Sequence, residues 1–136
     1  GIEITPESQK EFRENIRKQY GMAAVAVLLE EEITESVKTQ DTVLDGLYSW
    51  DEYLFLKEKF PELKLICVVC DKELRYERIN VRPDRPFNRE EIIIRDTSEI
   101  ENLAKGGPIA YADYYIFNNG SLKDYETRLL EILEQI

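Results

Sequence analysis

Apolar residues at helical spacing predict two helices in the first quarter of the chain. Phe12, Ile16 and Tyr20 recur at four-residue steps, which places them on one face of a helix. Thr5-Pro6-Glu7, just before them, combines a capping hydroxyl, a proline and an acid, as is typical of a helix start. A glycine follows this helix, and a second helix is predicted from about residue 22 to residue 35.

Three short apolar runs predict β-strands at residues 42–47, 64–70 and 114–117. Each run precedes a helical segment, and the first leads into Ser49-x-x-Glu52, which has the pattern of a capping box. Strands that alternate with helices are typical of parallel βα units. We therefore predict an α/β fold with a parallel sheet covered by helices on both faces. Ligands of such sheets bind beyond the carboxyl ends of the strands.

A proline-containing loop separates two of the later helices. Residues 82–87 read Arg-Pro-Asp-Arg-Pro-Phe, and two prolines so close together do not continue a helix. Asn88-x-x-Glu91 resembles a capping box and predicts a new helix that runs to about Ala104. The Gly-Gly-Pro sequence at residues 106–108 is expected to end it.

The composition predicts one folded domain, since 43% of the 136 residues are hydrophobic and 34% are charged. A net charge of −10 argues against a DNA or RNA partner, because binding to a phosphate backbone needs a positive surface. Histidine is absent, which excludes His-dependent triads, His general bases and His-containing metal sites. Without a signal-peptide pattern or an apolar run of about 18 residues, we expect a cytoplasmic protein with no membrane partner.

The two cysteines, Cys67 and Cys70, have the C-x-x-C spacing of redox and zinc sites. They lie in a continuous apolar run, however, and residues i and i+3 of a strand point to opposite faces. A zinc site would also need two further Cys or His ligands, which the sequence lacks. We therefore interpret both cysteines as small core residues of a buried strand.

An arginine cluster interrupts the acidic chain between residues 75 and 95. Six of the nine arginines lie there against four acidic residues, so this window has a charge of +2. The cluster consists of Arg75, Arg78, Arg82, Arg85, Arg89 and Arg95. Forked guanidinium groups suit phosphate oxygens, so the cluster predicts a small polyanionic ligand. Alternatively, these arginines form surface ion pairs with the nearby acids, Glu77, Asp84, Glu90, Glu91 and Asp96.

Asp45 has two interpretations from the sequence alone. It follows an apolar run at the predicted carboxyl end of a strand, where a carboxylate can hold Mg²⁺ through water or orient an acceptor hydroxyl. It also precedes Gly46, and an Asp-Gly pair is typical of a turn.

Several segments appear together in the order of a known family. They are Val43-Leu44-Asp45-Gly46-Leu47, Leu65-Ile66-Cys67-Val68-Val69, the arginine-bearing helix, and Ala112 to Leu122, which contains Asn118-Asn119-Gly120. In this order the chain resembles the P-loop nucleotide kinases, in particular dephospho-coenzyme A kinases and archaeal adenylate-kinase-related proteins. The resemblance extends from Gly1-Ile2-Glu3-Ile4-Thr5-Pro6 to the final helix. It implies a three-layer P-loop-kinase-like parallel sheet, with ATP and Mg²⁺ as cofactors.

The resemblance implies roles in phosphate handling for polar residues already singled out. Asp45 would lie near the metal ion and the transferred phosphate. Arg78 and Arg82 match arginines at the root of a mobile lid, which grip the donor phosphates. The other lid arginines would close over the phosphates, namely Arg85, Arg89 and Arg95.

The resemblance also implies an organisation of residues 1–136 as a single kinase-like domain. Residues 1–35 would be acceptor-side helices and residues 82–104 a lid-like segment. Residues 42–81 and 105–136 would form the core. The loop along the donor adenine would be made by Asn118, Asn119 and Gly120.

A G-x-x-x-x-G-K motif followed by Ser or Thr is absent from the sequence. In the family this loop follows the first, central strand, and its amides and lysine cradle the β- and γ-phosphates. We therefore expect that the 136 residues omit an N-terminal segment of the native protein, including the first strand or strands of the sheet.

These features predict an ATP-dependent phosphotransferase acting on a nucleotide or nucleotide-like small molecule, similar to dephospho-coenzyme A kinase and conditional on an upstream P-loop. Adenylate kinases have an arginine shortly after the Asp-Gly pair, where this chain has Leu47-Tyr48-Ser49. This difference argues against a nucleoside monophosphate as acceptor. One alternative is a kinase-derived module that binds a nucleotide or a protein without chemistry. Another is a P-loop NTPase that hydrolyses ATP to drive a conformational change.

Overall fold

The protein is an α/β chain that is mostly helical, with a small parallel sheet. The computed structural model describes residues 3–136. Gly1 and Ile2, which open the stretch that resembles the kinases, lie outside the described residues. The chain divides into two compact units, of which the first ends at Leu63 and the second comprises Lys64–Ile136.

The described part of the first unit contains three helices, α1 (Pro6–Tyr20), α2 (Ala24–Ser36) and α3 (Trp50–Lys59). The predicted start of α1 is confirmed, since the Thr5 side chain accepts a hydrogen bond from the Ser8 backbone N–H at 3.0 Å. Gly21 then ends this helix with a φ of 88°, a left-handed conformation that glycine adopts without steric cost.

The core of the first unit lies between α2 and α3. Ala26 and Ile33 of α2 and Leu56 of α3 are buried against one another, and they form its centre. Partly buried apolar side chains pack around them, namely Leu47, Phe55, Phe60 and Leu63. The spacing of Ala26 and Ile33, two helical turns apart, explains why α2 turns this face inward.

The prediction of a buried strand at residues 42–47 was wrong. These residues are irregular, and Val43 is 87% exposed. Gly46 adopts a φ of 93°, which interrupts an extended backbone. A strand is defined by hydrogen bonds to a neighbouring strand, and the sheet in the described part of the chain has two strands only. A three-layer sheet is therefore not seen in residues 3–136.

The second unit contains the sheet and four helices. Its elements are β1 (Ile66–Val69), α4 (Lys72–Val81), α5 (Arg89–Leu103), α6 (Gly106–Tyr111), β2 (Tyr114–Phe117) and α7 (Leu122–Gln135). The two strands are parallel neighbours, in register from the pair Ile66 and Tyr114 to the pair Val69 and Phe117. Ile116 of β2 is almost completely buried at 1% exposure. The two later predicted strands are thus confirmed.

The helix starts of the second unit follow the polar signals in the sequence. Asn88 and Glu91 form a complete capping box at the start of α5, and Ser121 and Asp124 form another at α7. The predicted break at residues 106–108 is only partly confirmed. Although α5 ends at Leu103, the Gly-Gly-Pro residues open the short helix α6, because proline is tolerated in a first helical turn.

The cysteines border the core of the second unit and do not form it. Cys67 lies in β1 and Cys70 just after it, and both are half-buried free thiols. Burial raises the pKa of the Cys67 thiol, which opposes thiolate chemistry there. Within residues 3–136 no group of three or more Cys, Asp or Glu side chains is arranged to hold a metal ion. None of the helices described is long and apolar enough to cross a membrane.

Candidate functional site

The carboxyl ends of β1 and β2 bring together polar residues 48 positions apart in the sequence. The backbone N–H of Asn118 donates to the carbonyl of Val69 at 2.7 Å. The backbone N–H of Asp71 donates to Oδ1 of Asn119 at 2.8 Å, and Nδ2 of Asn119 lies 3.4 Å from Oδ1 of Asp71. The segment 118–120, here called the β2–α7 loop, therefore lies against the β1–α4 connection. Asp71 directly precedes α4, but its side chain makes no capping hydrogen bond.

Arg78 joins the arginine cluster to the β2–α7 loop. Its guanidinium donates two hydrogen bonds, from Nη1 to the carbonyl of Asn118 and from Nη2 to the carbonyl of Gly120 at 3.0 Å. The side chain reaches the loop because it projects from α4 three residues after Arg75, on a neighbouring part of the helix surface. Two sets of residues that the sequence singled out separately are therefore in direct contact.

Arg75 faces α5. Its two Nη atoms contact the two carboxylate oxygens of Asp96 at 3.0 and 2.6 Å, and these hydrogen bonds raise the pKa of Arg75. Both side chains are about one-third exposed. The pair joins two helices across the loop that separates them, as the ion-pair alternative predicted for Asp96.

Arg89 forms a second two-point ion pair between the same helices. Its Nη atoms contact the carboxylate oxygens of Glu73 at 2.8 and 3.0 Å. This contact lowers the pKa of Glu73 and raises that of Arg89. The side chains of Arg89 and Glu73 are 59% and 68% exposed, more than those of Arg75 and Asp96. Water or a ligand can therefore readily take the place of either partner.

Glu99 is the buried acid of α5, at 9% exposure. It accepts a hydrogen bond from Nε of Arg95 at 3.2 Å and also pairs with Lys105. Two cations thus compensate the charge of this carboxylate. Neither Glu73 nor Glu99 was among the acids that the sequence suggested as partners, because the choice depends on how α4 and α5 pack.

Phe87 is a candidate site residue that sequence reasoning missed. The guanidinium carbons of Arg82 and Arg95 lie over its ring, 5.2 and 5.5 Å from the centroid. Nε of Arg82 also donates to the carbonyl of Arg85 at 2.6 Å, and Arg85 has a left-handed φ of 49°. The cue for Phe87 was its place at the end of a loop flanked by arginines.

The arginine cluster is therefore mixed in its contacts. Ion pairs with carboxylates form at Arg75, Arg85, Arg89 and Arg95, of which the Arg85–Asp84 pair is long at 3.6 Å. Arg78 and Arg82 instead donate to backbone carbonyls. A shallow groove of about 580 Å³ lies beside the cluster, lined by Glu73, Leu74, Tyr76, Glu77, Asn80 and Arg89.

Asp45 belongs to the first unit and is exposed in the irregular segment that precedes α3. Its neighbour Gly46 has a φ of 93°, and a Cβ there would come within 3.3 Å of the Tyr48 ring. Residues 45–46 close no hydrogen-bonded turn, so of the Asp-Gly turn that the sequence suggested as one interpretation the structure has only the left-handed φ of Gly46. The exposed carboxylate remains accessible to solvent and to ligands.

Comparison with known proteins places the chain among archaeal relatives. No family model matches it. The UPF0200 protein TK1334 of Thermococcus kodakarensis is 34% identical over 141 residues, an alignment that covers all of this chain and 76% of the relative. A UPF0200 protein of Staphylothermus marinus is 36% identical over 98% of this chain and 69% of its own length. The UPF0200 protein Ta0179 of Thermoplasma acidophilum is 32% identical over 91% of this chain and 67% of its own length. The chain therefore belongs to the UPF0200 family.

Proposed function

We propose that the protein is an ATP- and Mg²⁺-dependent phosphotransferase of the P-loop nucleotide kinase type, acting on a nucleotide or nucleotide-like small molecule. The observation that carries this proposal is the contact of Arg78 with the carbonyls of Asn118 and Gly120. It joins a predicted phosphate-binding cluster to a predicted adenine loop. A nucleotide-binding site needs a phosphate-binding surface and a base-binding surface that one ligand can reach at the same time.

The position of this contact in the sheet supports the proposal. β1 and β2 are adjacent and parallel, and the β2–α7 loop follows the carboxyl end of β2. Open α/β sheets bind their ligands at this edge, because loops there are free to vary while the strands hold them in place. We further propose that the two strands belong to a three-layer sheet of the P-loop kinase type.

The exposed part of the arginine cluster suits the donor phosphates. A solvent-exposed ion pair such as Arg89–Glu73 contributes little stability, so a triphosphate can replace the carboxylate at small cost. Phosphoryl transfer needs mainly positioning and charge neutralisation, which arginines provide without a histidine base. We assign Arg82, Arg85, Arg89 and Arg95 to this role.

Asp45 fits the requirements of a magnesium ligand. Mg²⁺ in kinases takes one or two carboxylates and completes its shell with water and substrate phosphates. One exposed aspartate is therefore enough from the protein. We propose that Asp45 holds the ion through water.

The acceptor is proposed to meet the helices of residues 5–35. Leu47-Tyr48-Ser49 supplies no arginine for an acceptor phosphate, which favours a nucleotide-like alcohol over a nucleoside monophosphate. Dephospho-coenzyme A is the first acceptor to test.

The test is an assay of the natural full-length protein with ATP, Mg²⁺ and a panel of acceptors. Its intact mass and N-terminal residues are read first, because the mechanism requires a glycine-rich phosphate loop that these 136 residues lack. A phosphorylated acceptor detected by mass spectrometry supports the proposal. Consumption of ATP without such a product indicates an NTPase. Binding of ATP without consumption indicates a kinase-derived binding module, and no binding contradicts all three.

A further inference from the structure

Arg78 is engaged by the protein backbone and not directed at an empty anion position. Nη1 and Nη2 of one guanidinium donate to the carbonyls of Asn118 and Gly120, which are two residues apart. The side chain is half-buried, as are those of Arg75 and Arg82, whereas the other three arginines of the cluster are exposed. A forked, planar donor is the group that can satisfy two such acceptors at once. A lysine offers a single ammonium and cannot reproduce this geometry.

The β2–α7 loop is also held from its other side. Asn119 accepts from the backbone N–H of Asp71, and Asn118 donates its own N–H to Val69. Together with Arg78, these contacts tie the loop to the end of β1 and to α4. The loop is therefore arranged before any ligand arrives.

These contacts also decide which polar groups remain for a ligand. The Asn119 carboxamide and the carbonyls of Asn118 and Gly120 are already hydrogen-bonded. The Asn118 carboxamide makes no hydrogen bond to the described part of the chain. Its oxygen can accept from the amino group and its N–H can donate to a ring nitrogen at the edge of an adenine base.

We propose that Arg78 is a positioning residue for the β2–α7 loop and not a donor-phosphate ligand, and that the Asn118 carboxamide meets the nucleotide base. This inference rests on the proposed function, and it alters the role that the family resemblance implies for Arg78. Removing the guanidinium releases the loop, so we expect the protein to bind the nucleotide base more weakly.

Adenosine and ATP separate the two roles, because only ATP carries phosphates. Binding of each is measured by ligand-observed NMR for the wild-type protein, Arg78→Ala and Arg78→Lys. We expect Arg78→Ala to lower the affinity for both ligands by a similar factor of about tenfold or more. Arg78→Lys should resemble the alanine variant, since it keeps the charge but not the fork. A loss confined to ATP, or rescue of ATP binding by lysine, would overturn the inference.

Hydrogen exchange tests the positioning role without any nucleotide. The amides of Asn118 and Asp71 should exchange roughly tenfold faster in Arg78→Ala than in wild type. Arg82→Ala is the matched control. It should lower the affinity for ATP alone and leave adenosine binding and the exchange rates of both amides unchanged. Unchanged exchange in Arg78→Ala contradicts the inference. If the wild-type protein binds neither ligand, the proposed function fails, while the exchange measurement still decides the role of Arg78.

Discussion

Arg75 and Asp96 form a two-point ion pair between α4 and α5, with nitrogen–oxygen distances of 3.0 and 2.6 Å. The residues are 21 positions apart, and the loop of residues 82–88 lies between their helices. Both side chains are about one-third exposed, so water screens the pair only in part. The pair therefore holds the two helices that carry most of the arginine cluster.

Breaking this pair should lower stability. We expect Asp96→Asn to reduce the free energy of unfolding by about 1 kcal/mol, because it leaves a partly buried guanidinium with a neutral partner. Urea unfolding of Asp96→Asn, Arg75→Gln and the double variant measures the coupling. Asp84→Asn is the control, since its pair with Arg85 is long and 66–86% exposed, and no change is expected there. Additive effects of Arg75→Gln and Asp96→Asn would show that the pair contributes nothing.

Arg82 should be required for turnover if it contacts the donor phosphates. We expect Arg82→Ala to lower kcat/KM for ATP by about tenfold or more, because charge-assisted contacts to phosphate are lost. Arg128→Ala, an exposed arginine on α7, should leave turnover unchanged. Steady-state kinetics of both variants measure the difference. Equal activity in wild type and Arg82→Ala would remove Arg82 from the proposed site.

Gly120 is constrained by the capping box that follows it. A Cβ at this position would lie 2.8 Å from a carboxylate oxygen of Asp124, which caps α7 together with Ser121. Gly120→Ala should therefore displace Asp124 and lower stability by about 0.5–1 kcal/mol, the usual size of a cap contribution.

Gly106 provides the matched control for this substitution. A Cβ there meets nothing within 4 Å, and Gly106 opens α6 without a left-handed φ. Gly106→Ala should leave stability unchanged or raise it slightly. Thermal unfolding of both variants decides the matter, and equal midpoints would mean that Asp124 moves without cost.

Because of Glu52, we expect the stability of the fold to depend on pH. Burial raises the pKa of this carboxyl above its ordinary value of 4.5, although hydrogen bonds with Ser49 and Tyr48 and the charge of Arg17 act the other way. The folded state therefore binds the proton more tightly than the unfolded state. The stability that Glu52 contributes is fully present below pH 4.5 and is lost as pH rises through the higher folded pKa.

Glu52→Gln imitates the protonated side chain at every pH. We expect this variant to be more stable than wild type at pH 7 and equally stable near pH 4, where the wild-type carboxyl is protonated as well. Urea unfolding across this range measures the difference. A variant that is less stable than wild type at pH 7 would show that the charge interaction with Arg17 outweighs the cost of burial.

Helix starts could be predicted well because their signals are local. Thr5, Ser49 and Asn88 each accept a hydrogen bond from a backbone N–H three residues later, so the residues that decide the cap lie within one turn. Residues 42–47 had the apolar character of a strand but lacked a pairing partner within the described residues. A strand requires such a partner, and an apolar run by itself does not show where in the chain the partner strand lies.

The sequence by itself determined the helices other than α6, two of the strands and the concentration of arginines between residues 75 and 95. Composition and short-range spacing are enough for these features. The tertiary structure alone decided that Arg75 pairs with Asp96 and that Arg78 holds Asn118 and Gly120. These partners lie 21 to 42 positions apart, and only the packing of α4 against α5 and of β1 beside β2 brings them within hydrogen-bonding distance.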